Sequence, residues 1–246
     1  MRITSLANAG VLVCGVCLSG TALGGFTTVD FSTDDNGGAL GNGQIIDNND
    51  EFFSDFTLSH SGPSEGIVIF DSTAGVNAAD PDMWVNSGNI LTNQMAGSSS
   101  TGDFYDTPDD DANGGSITFN FNTAVELCTI DLVDINGNNQ NVTITMFDTS
   151  GNSRVFFVPD EWTGDLTQDP VPGIMTLDFQ NVNPQAGFGS VAVILTDDGI
   201  DMNDVISVQF DFAGSGGLDN LTYTVPAPSA LALLVGAGLA RRRRRA

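Results

Sequence analysis

Between Phe26 and Thr224, short apolar or alternating segments are separated by turn-rich stretches. The clearest alternating segments, SITFNFN (116–122) and VISVQFDF (205–212), place apolar side chains at every second position. A period of two is typical of a strand that buries one face against a core. We therefore predict about eleven strands. Their bounds are 26–31, 55–60, 66–71, 116–122, 125–135, 141–148, 154–159, 174–180, 190–196, 205–212 and 220–225.

The connections between these segments are rich in Gly, Asn, Asp and Ser, and no stretch has a helical period of useful length. Many short strands with turn signals between them predict an all-β fold, an antiparallel β-sandwich that is jelly-roll-like. INGNNQ (135–140) and TSGN (149–152) are predicted hairpin connections, because Asn and Gly tolerate positive φ angles. Cys128 is in phase with Ile130 and Leu132, which predicts that it lies on the core face of its strand.

The first 24 residues are predicted to form a secretory signal peptide with a helical apolar region. Arg2 gives a positive start, AGVLVCGVCLSG is the apolar stretch, and small residues precede a cleavage point at Gly24. A lipoprotein signal that uses Cys14 or Cys17 is the alternative. Residues 25–224 then form the β-sandwich domain.

Residues 225–246 consist of the polar spacer VPAPS, the apolar run ALALLVGAGLA and an arginine block. The apolar run is shorter than the roughly 17–25 residues of a comfortable membrane span, so it predicts a short membrane helix. The positive-inside rule places the arginines in the cytoplasm. This tail resembles the PEP-CTERM sorting signal, also known as the ice-binding-protein C-terminal motif, with Ala227 in place of the box glutamate. The residues that carry the resemblance are Pro226, Pro228, Arg241, Arg242, Arg243, Arg244 and Arg245.

The resemblance implies an exported protein of a Gram-negative-type bacterium that makes extracellular polysaccharide. It also implies an exosortase-type processing enzyme as a partner. The chain would be tethered to the inner membrane by its tail, and would later lie in the cell envelope or outside the cell. An ordinary C-terminal membrane anchor is the alternative.

The body is similar to uncharacterised exported proteins that carry the same tail. The shared stretches include GQIIDNNDEF (43–52), DPDMW (80–84), DDANGGSITFNF (110–121) and GSGGLDNLTYTVPAPSA (214–230). The closing GLDNL strand also resembles the last strand of carbohydrate-binding jelly rolls. An Asp at this point in those proteins helps to hold a structural calcium, so the resemblance implies Asp219 as a ligand.

Acidic residues dominate the body. The formal net charge is -24, and every one of the 31 acidic residues lies between Asp30 and Asp219, where Arg154 is the only Lys or Arg. Such a body repels itself unless cations screen or bind it. It also excludes nucleic acid as a partner, because phosphates are bound by Lys and Arg. An acidic, soluble surface with no specific ligand is the alternative to a cation-binding one.

The turn 109–114 has the residue spacing of a calcium-binding loop. Asp109, Asp111 and Asn113 stand at alternate positions and Gly114 permits the bend, as in the first half of an EF-hand. No helix flanks this turn, so it is not an EF-hand. Alternating oxygen ligands still suit a hard cation, and Ca²⁺ is the predicted ion. A solvated acidic turn is the alternative; Asp80-Pro81-Asp82 and 197–201 are weaker clusters, either of which could add ligands to the same ion or to another.

Catalytic motifs are not recognisable in this sequence. His60 lacks a nucleophile motif, and no zinc spacing, phosphate loop or dinucleotide fingerprint is present. Trp84 and Trp162 lie in loop-like, acid-flanked stretches, which favours surface positions where their rings could stack on sugars. We therefore predict a non-catalytic exported protein that binds polysaccharide with calcium support. A structural or adhesive matrix protein without a defined ligand is the alternative, and a polysaccharide-active hydrolase is the third.

Overall fold

The computed structural model describes residues 25–46, 52–77, 80–137, 140–166 and 173–226. Within these ranges the chain is all-β with antiparallel pairing, as the sequence predicts. The strands are β1 (Phe26–Val29), β2 (Ile45–Ile46), β3 (Phe56–Ser61), β4 (Gly66–Asp71), β5 (Asn89–Gln94), β6 (Ser100–Thr101), β7 (Phe104–Tyr105), β8 (Gly115–Val133), β9 (Val142–Asp148), β10 (Ser153–Val158), β11 (Ile174–Asp178), β12 (Ile194–Asp197), β13 (Val205–Phe212) and β14 (Gly217–Thr224).

The helices found in the described ranges are single 3₁₀ turns at Pro81–Met83 and Phe188–Ser190. None of the helices in these ranges has the length and apolar character needed to cross a membrane. The predicted signal helix and C-terminal membrane helix lie outside the described residues, and so do Pro228 and the five arginines of the sorting tail. Pro226 is the last described residue and is exposed.

The 19-residue strand β8 joins two halves of the sheet structure. Its first part pairs with β3 and β13, and the ladder continues through β9, β10 and β12; we call this the first half-sheet. Its second part pairs with β11 and β14, and the ladder continues through β5, β4 and β2, with β1 also paired to β14; we call this the second half-sheet.

One hydrophobic core lies between the two half-sheets. Alternate residues of β8 point into it, and Phe119 packs against Phe56 of β3 with ring centroids 5.2 Å apart. Phe121 of the first half-sheet also contacts Tyr223 of the second, with centroids 5.4 Å apart. Edge-to-face packing of this kind adds to the stabilisation from apolar burial. The shared core makes the architecture sandwich-like.

A second, smaller apolar cluster covers the outer side of the second half-sheet. Met83 packs there with Phe70, Ile90 and Val133. The neighbours of Phe70 and Ile90 along their strands, Ile69 and Leu91, belong to the main core, so strand alternation places this cluster on the opposite side. We call this side the covered face.

Two details of the strand and hairpin predictions are corrected, and one is confirmed. The predicted strands 116–122 and 125–135 are one continuous strand, β8. TSGN is a hairpin between β9 and β10, as predicted. INGNNQ is not a hairpin, because β9 pairs with β13 and β10 in the first half-sheet, whereas β8 ends in the second. The chain therefore crosses between the half-sheets at this point.

Cys128 does not lie on the core face. Thr222 pairs with Thr129 and Tyr223 with Leu127, so the register passes over Cys128 at a bulge. Leu127 and Ile130 are both buried, which shows that the alternation changes phase there. The Cys128 thiol is free and half-buried, and burial raises its pKa. The prediction was wrong because an extra residue in a strand shifts every later side chain to the other face.

Candidate metal centre

Three carboxylates from two distant segments meet beside the covered face. Asp80, Asp109 and Asp110 each offer an oxygen, and these oxygens lie within 4.8 Å of one another. Asp80 and Asp110 are buried and Asp109 is half-buried. No other cluster of three or more potential ligand side chains of this kind occurs in the described part of the chain.

The first segment is positioned by a short helix and by apolar packing. Pro81 starts the 3₁₀ turn immediately after Asp80, and a Pro at this position has its φ angle already set for a helix. Met83 anchors the turn in the apolar cluster of the covered face. The indole N–H of Trp84 donates to the carbonyl of Asn77 at 2.9 Å and fixes the chain that precedes Asp80.

The second segment is held by strand β5. The Asp109 N–H donates to Gln94 Oε1 at 3.3 Å, and the Met95 N–H donates to the Asp109 carbonyl at 3.0 Å. Asp110 Oδ2 accepts a hydrogen bond from the Gly216 N–H at 2.8 Å. We did not predict β5 as a strand, because its polar residues Asn93 and Gln94 are buried and give no alternation.

A fourth carboxylate, that of the buried Asp134, lies close to this cluster. Asp134 follows β8 directly, has a φ of 58° and is 1% exposed. Its Oδ1 accepts a hydrogen bond from the Asn136 amide, but its Oδ2 has no hydrogen-bond partner. Asp80 Oδ2 is also buried without a partner. Buried polar oxygens normally have partners, so these two oxygens are candidate ligands for a cation.

The electrostatics of this site are unfavourable for the protein alone. Burial raises the pKa of Asp134 to about 9, and the charges of Asp82 and Asp110 contribute. Burial also raises the pKa values of Asp80, Asp109 and Asp110. The Asp80 carboxyl can hydrogen-bond to the carboxyl groups of Asp82 and Asp110 only while one member of the pair holds a proton. Carboxyl groups that share a site keep protons at neutral pH unless a cation replaces them.

Among the described residues, no Lys or Arg side chain compensates these carboxylates. Arg154 is the only Lys or Arg in the described ranges, and its guanidinium binds Asp197 at 2.6 Å and the Phe179 carbonyl at 3.1 Å. The Asp80–Asp109–Asp110 cluster, with Asp134 and Asp82 beside it, therefore has the ligand chemistry of a divalent-cation site. We call it the acidic centre.

Two of the predicted ligands have another role. Asp111 Oδ1 accepts hydrogen bonds from the backbone and amide N–H groups of Asn113 at 2.8 and 2.9 Å. Asp111 Oδ2 accepts from the Ala96 N–H at 3.2 Å. These bonds shape the turn before β8, and the Asn113 side chain is exposed. Of the three predicted ligands in this turn, only Asp109 belongs to the acidic centre.

Asp219 lies apart from the acidic centre, on β14 opposite Asp131 of β8. Its oxygens accept hydrogen bonds from the backbone and amide N–H groups of Asn220 at 2.8 and 3.2 Å. Asp219 is fully buried, and burial raises its pKa to about 7. Both oxygens have partners, so Asp219 lacks the orphaned oxygen that marks the acidic centre.

The two tryptophans differ in exposure. Trp162 is 1% exposed and belongs to the main core, so its ring cannot stack on a sugar in solvent. The prediction was wrong because an acid-flanked stretch can still direct its one large apolar side chain inward. Trp84 is half-buried, and its indole N–H donates a hydrogen bond to the Asn77 carbonyl.

The carboxylates of the acidic centre that sequence reasoning missed come from separate segments. Asp110 falls between the alternating positions of the calcium-loop spacing, and Asp134 was taken as part of a strand. Asp80 and Asp82 were noted only as a weaker cluster. The sequence Asp134-Ile135-Asn136-Gly137 is typical of a turn and could have shown that β8 ends before Asp134.

Comparisons with known proteins do not identify a family. No family model matches the sequence, and no curated protein matches it. Among solved structures, the chain is similar to a Bacillus thuringiensis Cry1Da tryptic core variant, with 11% identity and a TM-score of 0.28. The match covers 70% of this chain and 23% of that chain, and a score this low supports no argument about fold or function.

Proposed function

We propose that this chain is an exported, non-catalytic, jelly-roll-like β-sandwich protein that binds a calcium ion at the acidic centre and binds polysaccharide in the cell envelope or extracellular matrix. The observation that carries the calcium proposal is the meeting of Asp80, Asp109 and Asp110 beside two buried carboxylate oxygens without partners. A bound divalent cation would satisfy both oxygens and would offset the negative charge of the centre.

Calcium suits this set of ligands better than other common ions. All the candidate side chains offer oxygen, whereas zinc favours nitrogen and sulfur ligands. The single histidine, His60, lies on β3, where its ring bonds to the Ser64 carbonyl at 3.1 Å. Calcium accepts six to eight oxygens in irregular geometry, and magnesium requires a near-ideal octahedron. Carboxylates supplied by several loops fit the more tolerant ion.

The role of the ion would be structural. It would join the segment before β5, the segment before β8 and, through Asp134, the segment after β8. A ligand that binds only the folded chain stabilises it by about 2.7 kcal/mol at a hundredfold excess over its Kd. An extracellular setting rich in divalent cations would therefore favour the folded form of this acidic body.

The proposal for export and sorting rests on the two ends of the sequence. We propose that residues 1–24 direct export and that the tail beginning near Pro226 holds the chain at the inner membrane until an exosortase-type enzyme processes it. Replacement of Pro226 and Pro228 by Ala should retain the chain in the membrane fraction. Retention of the wild type in the membrane fraction, as well as of the variant, would favour an ordinary anchor.

Calorimetric titration of the full-length chain in mild detergent with Ca²⁺ tests the calcium proposal. We expect heat of binding in the wild type and its loss in Asp110→Asn. Asp103→Asn is the matched control, since Asp103 is an exposed acid in the same connection and lies outside the centre. The absence of binding heat and of any change in melting temperature in the wild type would contradict the proposal.

The remaining alternatives have their own readouts. A structural or adhesive matrix protein would bind calcium but no glycan on an array. A polysaccharide-active hydrolase would release reducing ends from labelled polysaccharide.

A further inference from the structure

The outer side of the first half-sheet carries almost no charge, and we call it the neutral face. Strand register places its side chains in rows that cross β3, β8, β13, β9, β10 and β12. One row is Thr57, Asn120, Ser207, Phe147 and Ser153; the next is Ser59, Thr118, Gln209, Thr145, Val155 and Thr196; the third is Ser61, Ser116, Asp211, Thr143, Phe157 and Ile194. Six strands at roughly 4.8 Å spacing make this face about 24 Å wide.

The neutral face is open to solvent. Of its side chains, only Ser116 is buried, and no second apolar cluster packs over it within the described residues. Hydrogen bonds run between neighbouring rows and strands, from Asn120 Nδ2 to Ser59 Oγ at 3.3 Å and from Ser207 Oγ to Asn120 Oδ1 at 3.4 Å. Hydroxyl and amide groups of this kind both donate and accept, so they can exchange these bonds for bonds to a ligand.

The charge of this face differs from that of the rest of the chain. In these three rows, Asp211 is the single ionisable side chain, and its carboxylate accepts a hydrogen bond from Gln209 Nε2 at 2.7 Å. The exposed Asp198 adjoins the end of the first row, where its N–H donates to the Ser153 carbonyl at 2.9 Å. The chain as a whole has a formal net charge of -24. Such a surface does not repel an uncharged partner, whereas the acidic surface around it repels an anionic one.

Exposed apolar side chains lie toward one edge of the neutral face. Phe147 on β9 is 39% exposed, and Phe157 on β10 is 37% exposed. Ile194, the cross-strand neighbour of Phe157, is 63% exposed. Aromatic rings in this position can cover the apolar faces of sugar rings, while the adjacent Thr, Ser and Gln groups bond to sugar hydroxyls.

We infer that the neutral face is the surface that binds polysaccharide, and that the polysaccharide is an uncharged one. This inference rests on the proposed function and assigns it to residues other than the tryptophans. An anionic polysaccharide is disfavoured, because this face has no Lys or Arg and the surrounding surface is acidic. A wide sheet face that offers hydroxyl, amide and aromatic groups fits an extended chain of neutral sugars.

The test is a glycan array with the full-length chain in mild detergent and Ca²⁺. The array carries neutral glucans, mannans and galactans beside anionic alginate and hyaluronan. We expect binding to a neutral glycan, and a loss of about tenfold or more in affinity in Thr145→Glu and in the Phe147→Ala/Phe157→Ala double variant. Thr28→Glu is the matched control, because Thr28 is an exposed strand residue of the second half-sheet, and it should bind like the wild type.

The outcomes separate this inference from the proposed function. Full binding by a folded Thr145→Glu chain would overturn the neutral face as the binding surface but leave polysaccharide binding in place. A wild type that binds Ca²⁺ but no neutral glycan would overturn the inference together with the polysaccharide part of the proposal. If Thr145→Glu instead abolishes self-association measured by sedimentation, the face binds a second copy and the inference is wrong. Melting curves of each variant establish that it is folded.

Discussion

The two outer sides of this β fold contrast in what lies on them. The covered face of the second half-sheet is packed by the segment around Met83, and the acidic centre adjoins it. Within the described residues, the neutral face of the first half-sheet has no such cover, and its three rows contain a single acid, Asp211. The same chain therefore keeps buried carboxylates on one side and uncharged hydrogen-bonding groups on the other.

This difference separates a side of the molecule that determines stability from a side whose groups are available for binding. Where carboxylates are buried together, they require protons or a cation, so the stability of the covered side should depend on pH and, if our proposal is correct, on calcium. Where the sheet is bare and uncharged, its side chains contribute little to stability and are free to contact a ligand. The predictions below test whether stability and binding divide between the two sides in this way.

The largest expected effect on stability comes from Trp162, which fills the main core. Trp162→Ala should cost about 3–5 kcal/mol in the free energy of unfolding. Glycan affinity per folded molecule should be unchanged, because the ring does not reach the surface. Chemical denaturation and array binding at matched folded concentration measure the two quantities.

Trp162→Phe is the milder companion variant if Trp162→Ala fails to fold. A loss of glycan affinity in folded Trp162→Phe would contradict the division between the two sides.

The next effect concerns Asp219 and pH. Burial raises its folded pKa to about 7 from 3.8, so the folded chain holds a proton that the unfolded chain releases. Stability from this group is full below about pH 4 and is lost as pH rises through about 7. In EDTA, the wild type should therefore lose stability relative to Asp219→Asn across this window, by an amount on the order of a few kcal/mol.

Asp106 provides a control of opposite sign. Hydrogen bonds from Ser99 and Thr101 lower the pKa of this exposed acid, so its contribution is present above about pH 4 and is lost as pH falls. Urea denaturation at several pH values compares Asp219→Asn and Asp106→Asn with the wild type. A constant difference between wild type and Asp219→Asn from pH 4 to 8 would show that Asp219 is not held protonated.

How far the sequence reveals these features depends on how local they are. Strands with one face on the main core, such as β13 at 205–212, were predicted with their bounds because alternation is a local pattern. Strand β5 was missed because it is buried on both sides. Its consecutive residues Ile90 and Leu91 face opposite sides and are both apolar, so the strand has no alternation of apolar and polar residues.

The acidic centre depends on chain topology rather than on spacing. Asp80, Asp110 and Asp134 come from three segments that only the pairing of β5, β14 and β8 brings together. The spacing of Asp111 and Asn113 instead reflects a turn, because the same residues that bind calcium in loops also accept hydrogen bonds from their own backbone.

Calcium should stabilise the wild type by about 2.7 kcal/mol at a hundredfold excess over Kd, which raises the melting temperature by about 5–10 °C. Asp80→Asn should abolish this shift. In EDTA, the same variant should melt at or above the wild-type temperature, because it removes a buried carboxyl group that lacks a partner for one oxygen.

Differential scanning calorimetry in Ca²⁺ and in EDTA measures this reversal, with Asp103→Asn as the control. If Asp80→Asn lowers stability equally in both buffers, Asp80 contributes only a structural hydrogen bond. The proposal that the centre holds an ion would then be wrong.

The smallest effects come from one substitution made on each side. Thr92 on β5 is fully buried, and its hydroxyl donates to the Gly216 carbonyl at 2.6 Å. Thr92→Val should cost about 1–2 kcal/mol, because it leaves that buried carbonyl without this donor. Thr145 on the neutral face is half-buried in an open row, so Thr145→Val should change stability by no more than about 0.5 kcal/mol. Equal losses for the two variants, measured by urea denaturation, would mean that the neutral face supports the fold as much as the covered face does, and its side chains would then not be free for a ligand.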